Sequence, residues 1–310
     1  IRDQPRSRGL GDVYKRQINY LVQQRFIMSY KFIQMSDPQI GLAATFNGHN
    51  NTKRNDMLNK GLVPPSIEES HGLSYEISRF EKAINGVNIL KPAFVIITGD
   101  MVQDPNDLEQ INEVKRICKK LDDNTPLFFA PGNCDVGNSP THELLTLYRE
   151  RFGKDYYSFD HGDVHLLVLN TPIIFDSSSV EKDWEIQLDF IVSDLEQARG
   201  NKQRIIVFGH HPLFGFSPIE NDSIFVIPSE KRLKLIEIFN KYQVEIMFAG
   251  HWHKNNYSRA EKFDMIISGP VGVPMGNDPS GFRIIEILNN SIKHSYHDLN
   301  NLPDDIKTLQ

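Results

Sequence analysis

The stretch Glu245-Ile246-Met247-Phe248-Ala249-Gly250-His251-Trp252-His253 changes character within one residue. Residues 245–248 have the length and apolar content of a buried strand, and Gly250 then leads directly into two imidazoles. The same design recurs upstream. Residues 30–34 run into Asp37-Pro38-Gln39, residues 93–98 into Gly99-Asp100, residues 127–130 into Gly132-Asn133-Cys134-Asp135, and residues 205–208 into Gly209-His210-His211-Pro212.

Between these runs, segments 75–89, 107–121, 184–198 and 231–242 space their apolar residues as helices do. They precede the second, third, fourth and fifth runs. Strand and helix in alternation predict an α/β protein with helices outside the sheet. Residues 156–160 and 165–170 flank His161-Gly162-Asp163 as a hairpin, and 265–268, 282–288 and 291–297 read as antiparallel strands near the end of the chain. The sheets are therefore expected to be mixed.

In open α/β folds ligands bind beyond the carboxyl ends of strands, so the five loops are expected to converge on one crevice. Carboxylate, amide and imidazole donors suit Mn, Fe or Zn, and a carboxylate can bridge two ions. A glycine beside a ligand lets the backbone come close to an ion. Singly, each loop has a plainer explanation: a strand-end Asp caps helices, Asn133 forms turns, and an isolated His sits in a core or on a surface. Five such loops in order favour the metal reading.

The order Asp-Pro-Gln, Gly-Asp, Gly-Asn-Cys-Asp, Gly-His-His-Pro and Gly-His-Trp-His resembles the calcineurin-like metallophosphoesterase superfamily, whose usual pattern is D-x-H, G-D-x-x-D, G-N-H-D/E, H-x-P and G-H-x-H. Residues 155–159 and 276–281 are similar to its branch called calcineurin-like phosphoesterase domain-containing protein 1. The resemblance implies a four-layer α/β/β/α sandwich with two divalent metal ions at the sheet edge. It places Asp37 and His253 on the first ion, with Gln39 beside them, and Asn133, His210 and His251 on the second, with Asp100 as the bridge. It favours His210 over His211 because the family ligand stands two residues before Pro212.

Three positions depart from the pattern. Gln39 stands where histidine is usual, which predicts a weaker first site or one that favours Mn. Cys134 replaces the histidine expected to help the leaving group depart, and Asp135 is the residue expected to orient it. Gln103 stands where the family favours aspartate, and Asp104, one residue later, reads as a loop or cap residue.

The expected activity is hydrolysis of a phosphomonoester by hydroxide held on the metal pair, with phosphoserine or phosphothreonine proteins or a small phosphoester as substrate. Phosphodiester or nucleotide diphosphate cleavage is the alternative. A metal-binding scaffold with little catalysis is a further one, motivated by Gln39 and Cys134.

Composition excludes other classes. A net charge of -6 with interspersed signs implies no basic surface for nucleic acid or anionic membrane. No apolar run approaches the roughly 20 residues of a membrane span, and two cysteines, Cys118 and Cys134, form no disulfide framework, so a cytoplasmic location is expected. Residues 1–27 carry scattered Arg and Lys without apolar periodicity, and 6–17 resemble translated adapter sequence; a disordered or non-native leader is expected there. A single catalytic domain is expected over 28–300, with a tail at 301–310. The polar stretch 41–74 is expected to be a long loop, either at the substrate rim or a surface insertion with no role.

Overall fold

Three short strands, β1 (Tyr30–Met35), β2 (Val95–Thr98) and β3 (Leu127–Ala130), lie side by side and parallel; the central β2 is a β-branched run buried along its whole length, while β3 at the sheet edge is half-buried up to Ala130. The computed structural model describes residues 29–46, 52–59, 64, 67, 72–201, 203–289 and 291–305. The leader expected over 1–27 lies outside the described residues.

The first sheet is completed by β10 (Gly281–Leu288) and β11 (Ser291–Asp298), both antiparallel, in the order β11-β10-β1-β2-β3. The second sheet has six strands. These are the hairpin β4 (Tyr157–His161) and β5 (Val164–Val168), then β6 (Arg204–Phe208), β7 (Ile246–Ala249), β8 (Asn256–Ala260) and β9 (Phe263–Ile267), ordered β4-β5-β6-β7-β9-β8. Both sheets are mixed.

Helices α2 (Ser74–Leu90) and α3 (Leu108–Cys118) bury Phe80, Ile84, Val87, Ile111, Val114 and Ile117 against the outer face of the first sheet. Their three- and four-residue spacing is the reason one face can be dry. Helices α7 (Glu181–Gly200) and α8 (Ser229–Tyr242) cover the second sheet through Ile191, Leu195, Leu235 and Phe239. Between the sheets a third core joins Phe32, Phe94 and Ile285 to Leu166, Phe208 and Phe248. The result is a four-layer α/β/β/α sandwich.

Several local expectations are corrected. The 265–268 segment belongs to β9, which pairs parallel with β7 and antiparallel with β8 in the second sheet, not with the strands at the end of the chain. The 41–74 stretch is no plain loop: it holds a 3-10 turn at Ala43–Phe46, helix α1 (Thr52–Asn59) and the first residue of α2. Its weak apolar periodicity hid them. Three further helices, α4 (Asn133–Val136), α5 (His142–Phe152) and α6 (Thr171–Phe175), have no counterpart among the expected helices. Asp104 accepts from the Asn106 N–H in a turn, while Asp107 caps α3 by accepting from the Glu109 and Gln110 N–H groups. Cys118 packs against the first core, and burial pushes its thiol pKa up to about 12.

Candidate metal centre

Strands β1, β2, β3, β6 and β7 end at one edge of the sandwich, and the loop after each carries candidate ligands. Backbone bonds lace the loops together: Asp37 N–H donates to Gly99 O, Gln39 N–H to Asp100 O, and Gly250 N–H to His210 O. The segment after β9 crosses from the second sheet to the first, where Gly272 N–H donates to Asp37 O at 3.0 Å.

Among the described residues seven non-glycine residues have positive φ, and five of them are Asp37, Gln39, Asp100, His251 and His253, at 36–72°. The other two, Lys91 and Gln243, end helices. Each left-handed residue of this kind costs on the order of 1–3 kcal/mol and persists where surrounding bonds over-determine it. Strain collected on five candidate ligands marks a built site. Two glycines permit it. A Cβ on Gly132 would collide with the Asp100 carboxylate and amide, and one on Gly250 would collide with Ser36 Oγ and come within 2.6 Å of Asp37 Oδ2.

Six of the seven expected ligand side chains, those of Asp37, Asp100, Asn133, His210, His251 and His253, meet in one crevice, and Gln39 lies at its side. His210 Nε2 lies 3.1 Å from Asn133 Oδ1, 3.2 Å from His251 Nδ1, 3.4 Å from Asp100 Oδ1 and 4.0 Å from Asp37 Oδ1. His253 Nε2 lies 3.4 Å from Asp37 Oδ1. Gln39 donates through Nε2 to Gln103 Oε1 and to Cys134 Sγ.

Each imidazole is oriented by a backbone carbonyl. His210 Nδ1 donates to Thr98 O at 2.9 Å, His251 Nε2 to Ile224 O at 2.9 Å, and His253 Nδ1 to Val273 O at 2.6 Å. Such bonds fix which ring nitrogen faces inward. His211 lies beside this set: its ring stacks on Phe175 at 4.8 Å and tilts against the His251 ring at 4.3 Å, and its backbone N–H shares the Thr171 hydroxyl with that of His210.

Charges within the crevice support one another. Burial opposes ionisation of Asp100, yet the adjacent His210 holds its pKa down at about 2. Burial likewise disfavours the His210 cation, but Asp100 and Asp37 carry its pKa up to about 9. His251, buried and facing the positive His210, is pushed down to about 4. Burial, reinforced by Asp100 and Asp135, drives the Cys134 thiol pKa well above the ordinary value.

A metal fits these residues. Asp37, Asp100 and His210 offer donor atoms within 4.8 Å of one another. Two buried acceptors, Asp37 Oδ1 and Gln39 Oε1, have no hydrogen-bond partner. A buried carboxylate oxygen without a donor is costly unless a cation completes it. Donors about 3.0–3.4 Å apart are also the spacing that ligand bonds of about 2.1 Å to a shared ion produce.

Asp135 is engaged differently. Its Oδ1 accepts from the Met101 and Val102 N–H groups and its Oδ2 from Gly132 N–H, so the carboxylate ties the second loop to the third. The supporting groups Ser36, Thr98, Thr171, Ile224 and Val273 carried no signal in the sequence. Three of them act through backbone carbonyls, which no residue type announces.

Residues 30–255 match the family model described as calcineurin-like phosphoesterase, and the chain belongs to that family of metal-dependent phosphoester hydrolases. Its relatives are more particular. The chain is 32% identical over 282 residues to serine/threonine-protein phosphatase CPPED1 of Danio rerio, covering 89% of this chain and 86% of that protein. It is 31% identical over 283 residues to the Homo sapiens protein of the same name, with 89% and 85% covered. Among solved structures, a dimetal phosphatase from Danio rerio superposes with a TM-score of 0.64 at 12% identity, covering 87% of this chain and 96% of the other. Purple acid phosphatase PPD1 from yellow lupin gives 0.63 at 16% identity, covering 89% and 52%. At those identities the structural likeness speaks for the fold alone.

Among the described residues no helix is long and apolar enough to cross a membrane.

Proposed function

We propose that this chain is a phosphomonoesterase acting on phosphoserine or phosphothreonine with two divalent ions, Mn, Fe or Zn. The observation that carries the reading is Asp37 Oδ1, a buried oxygen with no hydrogen-bond donor, set beside His253 Nε2 at 3.4 Å and His210 Nε2 at 4.0 Å in a crevice of strained loops. The relatives named serine/threonine-protein phosphatase support the substrate class. The two cysteines, both free, favour a reducing, cytoplasmic setting.

In this reading Asp37, Gln39 and His253 would hold one ion, Asn133, His210 and His251 would hold the other, and Asp100 would serve both. When bound, the ions supply a water activated near neutral pH and neutralise charge on the phosphate oxygens. The chain orients these groups. Carbonyls of Thr98, Ile224 and Val273 aim the imidazoles, and Cys134 N–H steadies Asp100 Oδ1 at 2.8 Å. Cys134 stands at the leaving-group position as a neutral thiol, so the departing alkoxide receives less help than an imidazolium gives. Asp135 acts as a positioning residue for the loops.

The test is a substrate panel on Mn-loaded protein with metal analysis alongside. Turnover of phosphoserine peptides and aryl phosphates is expected. Silence on those with turnover of cyclic nucleotides or sugar nucleotides would reject the reading in favour of a diesterase or diphosphatase. Bound metal with no turnover on any of them would leave a scaffold.

A further inference from the structure

Beside the metal crevice lies a second concavity of about 400 Å³ that the proposed chemistry does not use. Phe216, Phe225, Trp252, Met57 and Met275 line it, with Lys254 at its side. Trp252 sits in sequence between His251 and His253, and the Phe225 ring lies 6.3 Å from both Trp252 and His251. The cavity therefore begins one residue from the candidate ligands. An apolar cleft of this size with few polar groups is the ordinary form of a ligand site.

Its outer wall is built to stay put. The Glu220 carboxylate accepts from the Gly215 and Phe216 N–H groups, so its charge is spent inside the loop. Arg232, wholly buried, donates to the carbonyls of Ile227 and Glu220 and lies 3.6 Å from Asp222. On this pinned loop Phe216, Ile219 and Ile224 are 75%, 83% and 60% exposed. Large apolar side chains exposed on one hydrogen-bonded loop beside a cavity mark a surface that binds something.

Resting on the phosphomonoesterase reading, we propose that this cavity receives a large apolar side chain of the phosphorylated peptide, within two positions of the phosphorylated residue. The cavity lies against a loop that also exposes Phe216, Ile219 and Ile224, which suits an extended chain better than a small alcohol. Lys254, with Nζ 5.2 Å from the Trp252 ring centre, adds a cation complementary to the anionic peptide. The pocket selects the sequence around the phosphate; the metal crevice acts on the phosphate itself.

The experiment compares phosphoserine peptides that differ only in carrying Phe or Ser at each of the two positions on either side. On full-length Mn-loaded protein the best Phe peptide is expected to exceed its Ser parent about tenfold in kcat/KM, chiefly through KM. Phe216→Ala is expected to shrink that ratio below about threefold, while Ile89→Ala, an exposed residue on α2, retains it. Equal turnover of Phe and Ser peptides overturns the proposal, as does a preference that survives Phe216→Ala. A dimer by sedimentation that Phe216→Ala dissociates overturns it too, because a second copy then occupies the cavity. p-Nitrophenyl phosphate separates the two readings. If neither it nor any peptide is hydrolysed, the phosphomonoesterase reading fails, and fluorescence anisotropy with non-hydrolysable phosphonate peptides decides the pocket by the same tenfold ratio in Kd.

Discussion

Gln39 Nε2 donates to Cys134 Sγ across 3.0 Å, which joins two positions 95 residues apart where the family pattern has histidine. An amide donor and a thiol acceptor form a neutral contact in place of two imidazoles. Cys134 is thereby tied to the loop that carries Asp37, with a thiol too weakly acidic to serve as an efficient proton donor at neutral pH. Cys134→His is expected to raise kcat on alkyl phosphates by about tenfold or more, within the range a positioned general acid supplies. The check is a plot of log kcat against leaving-group pKa. Its slope should flatten in the variant, and an unchanged slope would sink the assignment of a leaving-group role to this position.

Asp100 Oδ1 lies 3.4 Å from His210 Nε2 and accepts from Cys134 N–H, and a carboxylate oxygen of Asp100 lies within 4.8 Å of donor atoms of both His210 and Asp37. Asp100→Asn keeps the shape and removes the charge. Bound metal per chain is expected to fall by about half or more and kcat by about 10³-fold, the scale of losing several kcal/mol of transition-state stabilisation. Elemental analysis beside turnover checks this; full metal content with normal kcat would contradict it.

Metal uptake should release protons. Burial lowers the His210 pKa, but Asp100 and Asp37 outweigh it and hold it up at about 9, so in metal-free protein His210 carries a proton at pH 7 that an ion must displace. Apparent affinity for Mn is expected to rise with pH between about 6 and 9. Calorimetry in buffers of different ionisation enthalpy should count roughly one proton released per loading event at pH 7. A pH-independent affinity would count against His210 as a ligand.

Gly250→Ala should disable the first site without touching a ligand. The new methyl would meet Ser36 Oγ and Asp37 Oδ2 in a packed region, at a cost of about 1–3 kcal/mol of stability. Metal content should drop with little change in far-ultraviolet circular dichroism. Normal metal content would show that this loop can give way.

Away from the crevice, His165 lies between Asp160 Oδ1 and Asp194 Oδ2, each at 2.7 Å. Burial works against its cation, but the two carboxylates prevail and raise its pKa above 6.5. A raised folded pKa means that the contribution is complete below about pH 6.5 and is lost as pH climbs through the folded value. Asp160, although partly desolvated, is lowered by Gln203 and His165, so its share is present above 3.8 and fails on acidification through its lowered folded value. His165→Gln is expected to cost about 1–2 kcal/mol near pH 5.5 and less at pH 9. Urea titrations of both proteins at the two pH values test the sign.

Sequence alone determined the ingredients. Residues 127–130 correspond to β3, residues 75–89 lie within α2, and the loops carrying Asp37, Asp100, Asn133, His210 and His251 follow the strands from which they were read. That much is local: strand burial, helical spacing and ligand chemistry are written in adjacent residues. Tertiary structure decided the rest. It turned His210 inward and laid His211 on Phe175, spent Asp135 on three backbone N–H groups, and put Gln39 against Cys134. It also took β9 into the second sheet. These outcomes depend on which carbonyl, ring or strand arrives from another loop, and a carbonyl looks the same whatever residue bears it. The metal centre is legible as a list of donors; its orientation and the apolar cavity beside it exist only once the loops converge.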